Sequence, residues 1–202
     1  MVIMQTDSPL ILPRAILFDM DGTLAELALD FPRIRREMGI GDRPILEGLA
    51  ELDEQQRPAA QAILERHEDL AAQSCPLNPG CRELLAWIAH RRIPLALITR
   101  NSSRSAAMVV RRHELAIEVL ITREDCPFKP DPAPLQLACR RLGVSTSHAW
   151  MVGDGQYDVE AGHAAGISTV WLSHGRTRTF VAQPWKTVAT LHELTELLKT
   201  CT

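Results

Sequence analysis

The residues whose types and spacing most plainly invite chemistry lie in Ala15-Ile16-Leu17-Phe18-Asp19-Met20-Asp21-Gly22-Thr23-Leu24. There a short apolar run ends abruptly in two carboxylates separated by one residue, and a glycine follows. On extended backbone, side chains at i and i+2 point the same way. Asp19 and Asp21 therefore repel unless a cation sits between them or one of them holds a proton, and chemistry can use both remedies at once. Gly22 lets the backbone turn and brings its N–H close to whatever occupies the site.

The polar residues that stand out in the second half also follow apolar runs: Thr99 after residues 94–98, Lys129 after residues 118–121, and Asp154 with Asp158 after residues 149–152. Each has an ordinary reading, with Thr99 as a helix cap, Lys129 on the surface and Asp158 in a first helical turn favoured by the dipole. Together, a hydroxyl, an ammonium and several carboxylates make a complete site for a hard divalent cation and a phosphoryl group. They meet only if the runs that precede them are strands of one parallel sheet, whose C-terminal ends share an edge.

The elements needed for that are present. Ala15–Phe18 has no polar alternation, so it reads as a strand buried on both faces in the middle of a parallel sheet. From Pro79 onward, helix and apolar strand alternate: helix 80–91, strand 94–98, a helix capped by Asn101 or Ser102 and running to about His113, and strand 118–121. Next come a helix opened by Asp131-Pro132 and ended at Gly143, strand 149–152, helix 157–165, strand Ser168–Leu172, and a C-terminal helix Leu191–Lys199 behind the capping-box pair Thr190 and Glu193. This pattern predicts a doubly wound parallel α/β sheet with Ala15–Phe18 central. Residues 25–78 break it and read as helical throughout. Asp30 caps a helix with Pro32 in its first turn that runs to Met38 before Gly39; a short helix follows near Pro44, and an amphipathic one over residues 59–73. This insertion leaves the chain directly after the acidic tip, where it could cover it.

Composition excludes several classes. At 202 residues, 46% hydrophobic and 23% charged, the chain suits one soluble domain with a small insertion. Its net charge of −3 provides no positive field for a general nucleic-acid binder. Residues 3–12 form an apolar segment broken by Asp7, Ser8 and Pro9, so they read as a short tail and neither as a signal peptide nor as a membrane span. The five cysteines are odd in number and lack a Cys-x-x-Cys pair, which fits reduced thiols in a cytoplasm. The seven histidines lack metal-ligand spacing, which leaves carboxylates as the metal ligands.

The chain resembles the haloacid dehalogenase superfamily of hydrolases, from Arg14 to Leu198. Asp19-Met20-Asp21-Gly22-Thr23 corresponds to the first motif, Thr99 to the second, Lys129 to the third and Gly153-Asp154-Gly155-Gln156-Tyr157-Asp158 to the fourth. It is most similar to the phosphoglycolate-phosphatase-like branch, which carries a helical cap after the first motif. The resemblance implies a Rossmann-like core of residues 14–24 and 79–202 with a cap of residues 25–78, short for that branch. It implies Asp19 as a nucleophile that forms an aspartyl-phosphate, and Mg²⁺ held by Asp19, the Asp21 carbonyl and Asp154, with Asp158 acting through water or as an orienting group. Asp21, its pKa raised by neighbouring negative charge, would serve as general acid and then base. Dehalogenases proper lack this second aspartate, so its presence points to phosphoryl transfer. Thr99 and Lys129 would hold phosphoryl oxygens, supported by Asn101 and by the Gly22 N–H. The function implied is a cytoplasmic phosphatase for a small phosphorylated metabolite, with no nucleic acid, membrane or obligate protein partner. A phosphomutase would use the same motifs, and a non-catalytic phospho-ligand module could use the same fold.

The insertion also concentrates positive charge in Arg33, Arg35, Arg36 and Arg43. They read either as a solvated face, with Arg33 and Glu37 paired at i, i+4, or as a source of one arginine that reaches over the site to a second anionic group on the substrate.

Overall fold

Every side chain of strand β1 (Ala15–Phe18) is shielded from solvent. In the computed structural model, which describes residues 10–202, it lies inside a six-stranded sheet with β2 (Leu95–Ile98), β3 (Val119–Ile121), β4 (Ala149–Gly153), β5 (Ser168–Leu172) and β6 (Lys186–Val188). The order is β3-β2-β1-β4-β5-β6 and every pairing is parallel, with Leu17 beside Ala96 on one side and Met151 on the other. Most of the proposed tail, residues 1–9, lies outside the described residues.

Strand alternation divides the core into two layers. Ile16, Phe18, Leu95, Leu97, Trp150 and Val152 face one layer, while Ala15, Leu17, Ala96, Ile98, Ala149 and Met151 face the other. The first is covered by α4 (Cys81–His90), α5 (Ser103–His113) and α8 (Leu191–Lys199), through Leu84, Ile88, Val109, Leu194 and Leu198. The second is covered by α6 (Ala133–Leu142) and α7 (Gln156–Ala165), through Leu135, Ala138, Ala161 and Ala165. The result is the doubly wound α/β sheet that the sequence predicts.

Two details differ. The chain has a sixth strand, because Lys186–Val188 adds an edge beside β5 through the pairing of Trp171 with Thr187. It is three residues long with two of them exposed, so it carries no apolar run that a sequence pattern could register. The second and third strands each start one residue later than expected, at Leu95 and Val119, and the fourth ends one residue later, at Gly153.

Between β1 and α4 the chain makes its helical excursion. The helices are α1 (Phe31–Met38), α2 (Ile45–Ala50) and α3 (Arg57–Ser74). Asp30 caps α1 by accepting from the Arg33 N–H at 3.0 Å, and Gly39 ends it in a left-handed conformation. Ile34, Met38, Ile40, Leu46, Leu52, Ala60 and Leu64 bury one another in a separate small core. The end of α3 returns to the sheet, where Ala71 and Ala72 join the first layer. The chain leaves and re-enters side by side: Ala25 bridges Leu77, and the Asn78 amide donates to the Thr23 carbonyl at 2.8 Å. No helix among the described residues is long and apolar enough to cross a membrane.

Leu84 is completely enclosed in the first layer. Leu84→Ala should therefore lower unfolding free energy by about 2 to 5 kcal/mol, read from urea denaturation, through lost burial and the cavity left behind.

Candidate active site

At the end of β1 the ladder continues for one residue, with the Asp19 N–H donating to the Val152 carbonyl at 2.9 Å. The chain then folds back on itself. The Leu24 and Ala25 N–H groups donate to the Met20 carbonyl at 3.1 and 3.0 Å, and Gly22 takes a φ of 77°. A β-carbon on Gly22 would also stand 2.6 Å from the Asp154 carboxylate, so this position excludes a side chain both by conformation and by space. Gly153 is constrained by space alone, since its β-carbon would lie 2.2 Å from the carboxyl carbon of Asp158.

Lys129 is 2% exposed and reaches β1 from the loop after β3. Its ammonium donates to Asp19 Oδ1 at 2.6 Å, to Asp158 Oδ1 at 2.6 Å and to the Ile98 carbonyl at 2.8 Å. All three of its protons are placed. The structure thus gives Lys129 the bridging of two carboxylates, and a phosphoryl oxygen would have to share one of these protons. Thr99 is buried, and its hydroxyl oxygen accepts from both the backbone and the side-chain N–H of Asn101 at 3.1 Å. With its lone pairs engaged, the Thr99 proton is free to be donated elsewhere. Ser102, and not Asn101, caps α5, by accepting from the Ser105 N–H at 3.2 Å.

Carboxylate oxygens of Asp19, Asp154 and Asp158 lie within 4.8 Å of one another. Asp158 Oδ2 accepts from the Gly155 N–H at 3.0 Å, and Asp154 Oδ2 accepts from Arg176 at 2.8 Å. An all-oxygen donor set carrying this surplus of negative charge fits a hard divalent cation. Burial pushes the Asp19 carboxyl well above its usual range against the pull of Lys129. Burial alone would lower Lys129, but Asp158 and Asp19 together hold it above the ordinary value. Burial also raises Asp154, opposed by Arg176. Asp21 rises to about 7. The sequence pointed to negative neighbours as the cause; burial comes first, the hydrogen bond from the Leu27 N–H at 3.0 Å opposes it, and Asp154 adds a smaller push.

These groups form the floor of a cavity of about 530 Å³ roofed by Leu29, Phe31, Leu46 and Leu64 of the helical excursion. Of the four arginines singled out in the sequence, Arg35 alone lines it. Arg33 is paired with Glu37 at 2.8 Å, Arg43 with Glu51 at 2.9 Å, and Arg36 is exposed away from the cavity. Sequence reasoning missed Arg100, which lies between Thr99 and Asn101. Its guanidinium donates to both oxygens of Glu47 on α2 at 2.8 Å and to the Lys129 carbonyl at 2.8 Å, and lies 4.0 Å over the Tyr157 ring. The usable signal was its place directly after the strand-end threonine. Buried Glu68 of α3 makes a second tie, pairing with Arg123 and accepting from the Ser102 N–H at 3.3 Å. Arg176 and Arg178 sit in the loop after β5, where no local pattern marks them.

The raised Asp21 has a thermodynamic consequence in the metal-free protein. An unfolded aspartate releases its proton near pH 4, whereas folded Asp21 keeps it to about pH 7. Between these values the folded state binds the extra proton, so stability falls as pH rises and levels off above about 7. Asp21→Asn should therefore raise the urea midpoint most at pH 8 and least at pH 4.

Residues 28–172 match the family model described as haloacid dehalogenase-like hydrolase. An N-acetylmuramic acid 6-phosphate phosphatase of Pseudomonas aeruginosa is 31% identical, over 80% of this chain and 82% of that protein. A phosphoglycolate phosphatase of Rhodospirillum rubrum is 32% identical, over 85% and 84%. A solved structure from Thermotoga maritima, assigned as a beta-phosphoglucomutase, superposes with a TM-score of 0.72 at 27% identity, over 92% of this chain and 98% of that one. With the family model spanning four of the six strands and all three helices of the excursion, the chain belongs to the haloacid dehalogenase-like hydrolases.

Proposed function

We propose that this enzyme is a Mg²⁺-dependent phosphatase that hydrolyses a small phosphorylated metabolite through an aspartyl-phosphate on Asp19. The observation that carries the reading is the placement of Asp19, Lys129, Asp154 and Asp158 together on the floor of one roofed cavity. The relatives named as phosphatases of N-acetylmuramic acid 6-phosphate and phosphoglycolate support a substrate of that general kind. The division of labour is a core of residues 14–24 and 79–202 that does the chemistry and a cap of residues 25–78 that covers it. The five free cysteines suit a reducing cytoplasm. The net charge of −3 offers no general attraction to nucleic acid.

Mg²⁺ would be held by Asp19, the Asp21 carbonyl and Asp154, with Asp158 beside them, and would supply charge neutralisation for the carboxylates and the phosphoryl oxygens. One Asp19 oxygen attacks phosphorus while the ester P–O bond breaks. Lys129 and the free Thr99 proton face the charge on the phosphoryl oxygens, with the Gly22 N–H at the turn and Asn101 fixing the Thr99 hydroxyl. Asp21, protonated up to about pH 7, gives its proton to the departing oxygen. It then accepts one from the water that attacks the phospho-aspartate, and this releases inorganic phosphate and restores Asp19. A phosphomutase is the second reading, favoured by the likeness to the Thermotoga maritima structure. It differs in handing the phosphoryl group to a second substrate oxygen and not to water.

Assaying released phosphate across a panel of phosphorylated metabolites tests the proposal. Turnover should need Mg²⁺ and fail with Ca²⁺, whose larger size and coordination number alter the geometry around Asp19. Equal rates with the two ions would count against the metal site. Isomerised sugar phosphate with no free phosphate would select the mutase.

Asp19→Asn should abolish turnover with the fold intact by circular dichroism. Asp21→Asn should slow alkyl phosphate hydrolysis by about 10²- to 10⁴-fold and nitrophenyl phosphate hydrolysis much less, because that leaving group needs no proton. Equal losses on both would remove Asp21 from the acid role.

A further inference from the structure

The cavity above Asp19 has room for more than a phosphoryl group. At about 530 Å³ it falls within the usual range for pockets that enclose an organic ligand of many atoms. Its charged groups are largely answered within the protein: Lys129 faces Asp19 and Asp158, Arg176 holds Asp154, Arg123 holds Glu68, and Arg100 is engaged by Glu47. Two cations that line it are different. Arg35, half-buried on α1, and Arg178, exposed in the loop between β5 and β6, make no ion pair or side-chain hydrogen bond among the described residues. Arg178 only stands 5.9 Å over the Phe180 ring. One guanidinium therefore comes from the cap and one from the core, and the apolar surface of Leu29, Phe31 and Leu46 lies in the same cavity.

A guanidinium left without a carboxylate in such a pocket is a receptor for one, because its planar fork matches carboxylates and phosphates. The geometry points to a phosphate ester whose far end carries a second anionic group, a carboxylate or another phosphate, held between Arg35 and Arg178 with its carbon body against the apolar wall. The assignment rests on the phosphatase reading only for which end of the ligand meets Asp19. Since one arginine belongs to the cap and the other to the core, a ligand that joins them also holds the cap against the core. A neutral-ended ester does not.

The test is calorimetric binding to the full chain carrying Asp19→Asn, with Mg²⁺ present, so that turnover plays no part. The probes are 6-phosphogluconate, fructose 1,6-bisphosphate and glucitol 6-phosphate, which differ in carrying a distal carboxylate, a distal phosphate or a neutral end. At least one of the first two should bind roughly 10- to 100-fold tighter than the third. Which of them does so identifies the distal group. Adding Arg35→Met or Arg178→Met, which keeps an unbranched stem, should reduce that preference to below about threefold. Removing a surface charge elsewhere, by Arg91→Met, should retain it. The inference is overturned if no preference exists, if none of the probes binds, or if the preference survives both substitutions. Hydrolysis of nitrophenyl phosphate by the unsubstituted enzyme is measured beside it. Turnover without the preference sinks the clamp and leaves the phosphatase, whereas the preference without turnover of any ester sinks the phosphatase and leaves the clamp.

Discussion

The arrangement of this protein depends on burying like charges at one point, the C-terminal tip of β1. Asp19 and Asp158 are both withdrawn from water there, and a buried carboxylate is tolerated only when paired and hydrogen-bonded. Lys129 meets that condition for both, from a position 110 residues away from Asp19 in the chain. The ammonium needs its own third acceptor and takes the Ile98 carbonyl at the end of β2. A single cation thus ties together the ends of β1 and β2, the loop after β3 and the first turn of α7. Around it the glycines are spatial requirements, because Gly22 and Gly153 yield the room that the carboxylates of Asp154 and Asp158 occupy.

The same logic governs how the helical excursion is attached. Its own core of Ile34, Met38, Ile40, Leu46 and Leu64 is separate from the two layers on the sheet, and the chain enters and leaves it through one bridge at Ala25 and Leu77. Over the site, the two parts are joined by charge, through Glu47 with Arg100 and Glu68 with Arg123, and by Phe128, which packs against the excursion's small core. Arg100 also holds the Lys129 carbonyl. The seating of the excursion and the placing of Lys129 therefore share one guanidinium.

Much of this was legible in the sequence because it is encoded locally. A four-residue apolar run without alternation identifies a strand covered on both faces, and Ala15–Phe18 is such a run. Prolines, glycines and capping residues locate helix ends to within a residue or two, as Asp30, Gly39 and Gly143 do. Asp19, Asp21, Thr99, Lys129, Asp154 and Asp158 could be picked out because each follows an apolar run, directly or after a short loop, and a parallel sheet places the ends of such runs on one edge. No contact needed to be known for that step.

Contacts that depend on which loop meets which helix were decided by tertiary structure alone. Among Arg33, Arg35, Arg36 and Arg43, the sequence shows equal charges within a few residues; the packing of α1 turns Arg35 alone into the cavity, and nearby carboxylates occupy Arg33 and Arg43. Arg100 and Arg178 acquire their places only when the cap and the β5–β6 loop close over the sheet edge. The pKa of Asp21 is set mainly by how much of the chain excludes water from it, a sum over distant segments. Strand β6 exists because β5 offers it an unpaired edge, not because Lys186–Val188 has a strand's pattern. Periodicity along the chain reports which way a residue faces, but the partner it faces is set by long-range packing, and that is where the chemistry of this site is tuned.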